Sequence, residues 1–175
     1  MSIIILVIDD DEEIRKVLGI LLKQTGYDFV EASDAETTFQ LLRDRGNEIG
    51  VVICDIKMPK VSGIDILERI RQEFDTLPVI VLSGLVDLNV AVEVMKKGAF
   101  DFLTKPIKKN DLILVIEKAL NHKRFLEEHR KLAQSQRRTQ EMIDEKAKEL
   151  ESASFLLNKI REDLLKLKRK QMEEK

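Results

Sequence analysis

Five short apolar runs, each followed by a stretch whose apolar residues recur at helical spacing, constrain this chain more than any other feature. The runs are IIILVI (3 to 8), DFVEA (28 to 32), VVIC (51 to 54), PVIVL (78 to 82) and DFLT (101 to 104). The helical stretches are Glu12 to Gln24, Ala35 to Arg45, Ile64 to Glu73 and Leu88 to Lys97, and a further helix begins at Asp111. Gly26 and Gly98 stand just past two of the expected helix ends, and Ser33 or Asp34 is available as an N-cap. Five such units imply a parallel sheet with helices on both faces, joined by right-handed crossovers. In doubly wound sheets of this kind, ligands lie outside the carboxyl ends of the strands.

That rule gives meaning to the stretch VVICDIKMP at 51 to 59. Val, Val, Ile and Cys suit a strand buried on both faces, but an unpaired buried carboxylate costs several kcal/mol, so Asp55 is expected where the strand stops. Asp9 and Asp10 close the first strand in the same way, Ser83 closes the fourth, and Lys105 follows the fifth. All five polar groups therefore converge on one edge of the sheet.

Any one strand-end aspartate is most often a turn or capping residue, the acidic run from Asp9 to Glu12 also suits a helix N-terminus, and Lys105 before Pro106 also suits an exposed loop. As a set they carry chemistry. Three crowded carboxylates repel one another and partly reprotonate unless a cation intervenes. A hard divalent ion with oxygen ligands is the natural occupant, and Mg²⁺ binds one or two carboxylates while keeping waters and phosphate oxygens. An aspartate is also a nucleophile toward phosphorus, with the metal and the Lys105 ammonium neutralising the transferred group and Ser83 donating to one of its oxygens.

LVIDDDEEIR, VVICDIKMPKVSGIDIL, PVIVLSG and GAFDFLTKPI, in that order and spacing, resemble the receiver domain of two-component response regulators over residues 3 to about 121. The resemblance implies a flavodoxin-like α/β fold, a doubly wound five-stranded parallel sheet in the order 2-1-3-4-5. It implies that Asp55 is the phosphoacceptor, Asp10 a direct Mg²⁺ ligand, Asp9 a ligand acting largely through water, and the Lys57 backbone carbonyl a further ligand, with Mn²⁺ able to replace Mg²⁺. By the same resemblance Ser83 is the switch hydroxyl, Phe102 the aromatic switch position and Lys105 the lysine whose salt bridge reports phosphorylation. The Lys105-Pro106 bond would be cis. The implied donor is a histidine kinase, a phosphotransfer protein or a small phosphodonor, and the implied response is a shift of the fourth helix and fifth strand. Such a protein is a signalling switch and not an enzyme, catalysing only its own phosphorylation and slow dephosphorylation. Two readings compete with it. A haloacid-dehalogenase-like Mg²⁺-dependent phosphohydrolase would want a second aspartate two residues after the nucleophile, where this chain has Lys57; a docking-only receiver is the other. Of the smaller features, Met58 reads as core packing, and Gly63 after Pro59 as a residue permitting an unusual backbone conformation.

The rest of the chain differs in kind. All seven glycines and all three prolines fall at or before Pro106. Residues 1 to 121 carry 15 Lys and Arg against 21 Asp and Glu, net −6, whereas 122 to 175 carry 15 against 11, net +4. A receiver over 1–121 and a helical coiled-coil extension over 122–175, suited to linking an output domain, are expected. Continued from Asp111 to Lys175 the helix would be roughly 95 Å long, and a lone helix of that length leaves its apolar stripe without cover. Leu150, Ala153, Leu157, Ile160, Leu164 and Leu167 alternate by three and four, a coiled-coil repeat. Extended backwards, its frame takes in Ile143, Leu132 and Phe125 but also Lys146, Thr139, Gln136 and His129, so the middle of the seam is weak and also suits a frayed or bent helix, or one whose partner is not a second copy. Asp163 at g and Lys168 at the following e′ favour a parallel homodimer.

Other classes find little support. The longest apolar run is far short of a membrane span and has no basic segment before it, so a cytoplasmic protein without a membrane partner is expected. The single cysteine, Cys54, excludes an internal disulfide framework and reads as a small core side chain. The basic stretch RKLAQSQRRTQ has no helix-turn-helix after it, so a nucleic-acid partner is not supported. His122 and His129 are expected to face solvent, and no glycine-rich phosphate loop occurs.

Overall fold

The structure is a computed structural model that describes residues 3–59, 61–84 and 88–173, with side chains to Lys166, Leu88 excepted. Its strands are β1 (Ile4–Ile8), β2 (Asp28–Ala32), β3 (Ile49–Asp55), β4 (Val79–Ser83) and β5 (Asp101–Thr104). They form one parallel sheet in the order β2-β1-β3-β4-β5. The helices are α1 (Glu12–Lys23), α2 (Ala35–Arg45), α3 (Gly63–Glu73), α4 (Leu88–Lys96) and α5 (Lys109–Glu173). The expected doubly wound α/β sheet is therefore present.

Side-chain alternation along the inner strands sorts the core into two layers. Ile4, Leu6 and Ile8 of β1, with Val52 and Cys54 of β3 and Val79 and Val81 of β4, pack against α2, α3 and α4 through Phe39, Leu42, Ile66, Ile70 and Val94. The intervening residues Ile5, Val7, Val51, Ile53, Ile80 and Leu82 face the other way, onto Leu18 and Leu22 of α1 and Leu112, Val115, Ile116 and Ala119 of α5. Each such Val, Leu, Ile or Phe side chain stabilises the fold by about 1.5–3 kcal/mol when fully buried. This double coverage is why β1, β3 and β4 read as unbroken apolar runs.

The helix ends follow local chemistry. Asp11 caps α1 by accepting from the Glu13 amide at 2.8 Å, and Asp34, not Ser33, caps α2 by accepting from Thr37 at 2.8 Å. Ser62 opens α3 in a reciprocal capping box with Asp65. Gly26 and Gly98 take positive φ of 81° and 93° past α1 and α4, as their positions require. Boundaries shift where periodicity is silent. β3 begins at Ile49, two residues before the apolar run; at Gly50 the side chains of Ile3 and Leu120 come close where a Cβ would stand, and the β1–β3 register shifts there. β4 starts after Pro78, which has no N–H to give the ladder, although its carbonyl accepts from Val52 at 3.0 Å.

The chain divides into two units, Met1–Glu127 and Glu128–Lys175. Within the first, α5 packs on the sheet as far as Leu120, and Lys123 Nζ donates to the Ile49 carbonyl at 2.6 Å. His122 is exposed, and its ring lies 5.3 Å from that of Phe100. The second unit is helix whose described side chains are all exposed, including Leu150 (70%), Leu157 (67%) and Ile160 (56%). Leu167 and Lys168, part of the expected seam and its flank, lie outside the described side chains, and Glu174 and Lys175 outside the described residues. No helix among the described residues is long and apolar enough to cross a membrane.

Candidate functional site

The carboxyl ends of β1, β3, β4 and β5 bring their terminal residues together. Asp9 follows β1 directly and is fully buried, Asp10 is exposed beside it, and Asp55, 6% exposed, is the last residue of β3. One carboxylate oxygen from each of the three lies within 4.8 Å of the others. The first residue after β5 completes the cluster. Lys105 Nζ donates to Asp9 Oδ2 at 2.9 Å and to Asp55 Oδ2 at 3.1 Å. The crowded carboxylates thus have a cation between two of them, supplied by the chain itself.

Local backbone chemistry fixes these positions. The Asp11 amide donates to Asp9 Oδ1 at 2.9 Å, so both oxygens of the buried carboxylate are engaged. The Lys105 amide donates to the Ser83 carbonyl at 2.8 Å, tying the lysine to the residue that ends β4, and the Lys105-Pro106 bond is cis. Gly63 follows a different rule from the one its sequence context suggested. It does not have positive φ; a Cβ on it would stand 1.9 Å from the Asp55 carbonyl oxygen. Glycine is needed because α3 starts against the backbone of the aspartate, not because the chain takes an unusual conformation there. Its amide donates to the Ile56 carbonyl at 3.0 Å, holding the helix start to the strand end.

Burial pushes the Asp9 carboxyl above the ordinary carboxylate value; the bonds from Lys105 and the Asp11 amide pull it down without winning, and the charge of Asp55 adds to the rise. Burial pulls Lys105 down, yet its hydrogen bonds to Asp9 and Asp55 and their charges outweigh that and hold it above the ordinary lysine value. Lys105 therefore stays a cation through neutral pH. Burial, then the charges of Asp55 and Asp9, push the Cys54 thiol far up, in keeping with a core side chain.

Three further expected site residues lie on or just after the same strands. Ser83 is half-buried opposite Thr104 at the end of β4. Phe102 pairs with Val81 within β5 and is 37% exposed, while its neighbour Leu103 turns into the core. Lys57 is exposed two residues after Asp55, and Met58 beside it is partly buried against the core. One participant had no place in the reading of the sequence. Arg15 Nη1 donates to the Asp9 carbonyl at 2.7 Å and to the Asp10 carbonyl at 3.2 Å, and its Nε donates to Glu31 Oε2 at 3.3 Å. The signal for it was its place: a cation at the end of a helix's first turn opposes the helix dipole unless something nearby binds it.

The donor set fits a hard divalent cation: three carboxylates within reach of one another, one exposed and two buried. The family model for the response regulator receiver domain matches residues 5–117. The transcriptional regulatory protein FixJ of Bradyrhizobium diazoefficiens is 37% identical over 116 residues, covering 66% of this chain and 56% of FixJ. A response regulator receiver domain protein from Clostridium thermocellum superposes with a TM-score of 0.67 at 40% identity, covering 71% of this chain and 98% of that one. NtrX from Brucella abortus, solved in complex with ATP, gives a TM-score of 0.70 at 33% identity over 75% of this chain and 30% of NtrX. The chain spans about half the length of FixJ.

Proposed function

This chain belongs to the response regulator receiver family of two-component signalling, and from that premise we propose that Asp55 accepts a phosphoryl group from a histidine kinase, a phosphotransfer protein or a small phosphodonor. The observation that carries the reading is the bridge from Lys105 to Asp9 and Asp55 beside the exposed carboxylate of Asp10. A carboxylate oxygen of Asp55 forms the new bond to phosphorus as the donor's bond to phosphorus breaks, and the leaving group departs with that electron pair. The product is an acyl phosphate. Lys105, kept protonated by its carboxylate partners, neutralises charge gathering on the phosphoryl oxygens, and the Ser83 hydroxyl donates to one of them. Mg²⁺, or Mn²⁺ in its place, held by Asp9, Asp10, Asp55 and the Lys57 carbonyl, supplies further charge neutralisation when bound. Recruitment of Lys105 and Ser83 by the phosphoryl group pulls on β4 and β5, and Phe102, half-exposed on β5, changes its packing.

Residues 1–121 form the receiver in this reading, and 122–175 assemble two copies in parallel through the stripe of Ile143, Leu150, Leu157, Ile160 and Leu164, all more than half exposed in the single chain. FixJ is by name a transcriptional regulator, and a phosphorylated receiver joined to a dimeric helix would serve an output of that class. Incubation with acetyl phosphate and Mg²⁺ should add one phosphoryl mass to the wild type and none to Asp55→Asn or to the wild type in EDTA. An equal gain in wild type and Asp55→Asn would overturn the assignment.

A further inference from the structure

The turn from β1 to α1 carries two of the three carboxylates, and a side chain from outside the cluster holds its backbone. Asp9 and Asp10 present consecutive carbonyls to one nitrogen, Nη1 of Arg15. The guanidinium is in turn held from β2 by Glu31, and the arginine side chain is only 14% exposed. The planar fork thus spans three acceptors on two elements, β2 and the turn, while Arg15 itself sits on α1. A lysine cannot do this: its ammonium has the charge but not the fixed fork.

The direction of each peptide plane sets where the next Cα–Cβ bond points. Carbonyls of residues 9 and 10 tied toward Arg15 therefore fix how the side chain of Asp10 leaves the chain. Asp9 is braced independently, through the Asp11 amide and Lys105. Asp10, the exposed member, depends most on the backbone clamp.

We propose that Arg15, with Glu31 behind it, is a positioning residue for divalent-cation binding at Asp9, Asp10 and Asp55. This inference rests on the metal site proposed above. Partners that orient metal ligands from behind change metal affinity about 10- to 100-fold when removed. Arg15 reaches backbone and not the ligand atoms, so the lower end applies.

Mn²⁺ alone is the probe, and the free ion's six-line electron paramagnetic resonance signal is the readout. Arg15→Gln should weaken Mn²⁺ binding about 10-fold, and Glu31→Gln, which loosens the clamp without removing it, roughly 2- to 5-fold. Arg15→Lys should leave most of the deficit in place. Phosphoryl uptake from acetyl phosphate by Arg15→Gln should fall at low Mn²⁺ and recover as Mn²⁺ saturates, a change in metal requirement that general loss of structure does not give. Affinity within 2-fold of wild type in both Arg15→Gln and Glu31→Gln would overturn the proposal, as would full restoration by Arg15→Lys, which would leave only charge. If Arg15→Gln does not fold, Glu31→Gln decides alone, and wild-type affinity there overturns it. A wild-type chain that binds no Mn²⁺ at all would overturn the metal site itself and this inference with it.

Discussion

Ile116 and Ile160 are the same residue type in the same helix, yet the first is fully buried and the second is 56% exposed. Near residue 116 the helix finds its cover inside the chain, on Val51, Ile53 and Ile80 of the sheet. Around residue 160 every described side chain is exposed. The contrast separates two sources of helix stability, one intramolecular and present at any concentration, the other, in the proposed dimer, dependent on a second chain.

The sharpest way to break this contrast is to put a charge at each position. Ile116→Asp buries an unpaired carboxylate and should cost more than about 4 kcal/mol, enough to abolish the receiver's cooperative urea transition. Ile160→Asp should leave that transition within about 0.5 kcal/mol and instead turn the full chain, which the proposed parallel pairing makes a dimer at micromolar concentration, into a monomer by sedimentation. A chain ending after Glu127 should sediment as a monomer too. A dimeric Ile160→Asp protein would move the assembly surface onto the receiver.

Ion pairs repeat the contrast at smaller scale. Lys105 and Asp9 pair with side chains 21% and 0% exposed, whereas Lys146 and Glu149 of the tail pair at 67% and 59%. In EDTA, Lys105→Ala should destabilise the receiver by roughly 3 kcal/mol at pH 7, because it leaves Asp9 charged and buried without its cation. The folded Asp9 already holds its proton more tightly than the unfolded chain does, so stability falls as pH rises from the ordinary carboxylate value through the raised folded one. Loss of the lysine pushes the folded value higher still. The variant should therefore approach wild type near pH 4 and fall away above it; a deficit independent of pH would sink this account. The raised Lys105 works in the opposite range, its contribution present below the ordinary lysine value and lost as pH climbs through its own. Lys146→Ala should change stability by less than about 0.5 kcal/mol in thermal melts, the smallest effect of the series.

The parts of this molecule that could be read from the sequence are those where one residue's chemistry decides the outcome. DFVEA and DFLT are strands to the residue, and the gathering of Asp9, Asp10, Asp55 and Lys105 follows from strand ends alone. Positions set by distant neighbours were not legible. Nothing near Gly50 announces Leu120, 70 residues on, and nothing near Gly63 announces that α3 begins against the Asp55 carbonyl. Arg15 is a third case: its partners are backbone carbonyls, which carry no side-chain signature, and a glutamate on another strand.

The bond from Lys123 to the Ile49 carbonyl also defines a path for mechanical load. Beside the apolar packing of α5, this bond carries a pull on the helix to the first residue of β3, and the last residue of that strand is Asp55. The two are six residues apart, about 20 Å at the rise of a parallel strand. β3 has β1 on one side and β4 on the other, so tension along it is resisted in shear by two ladders at once and not peeled bond by bond. The helix is thus fastened to the central strand of the sheet, the same rod that carries the carboxylate at its far tip.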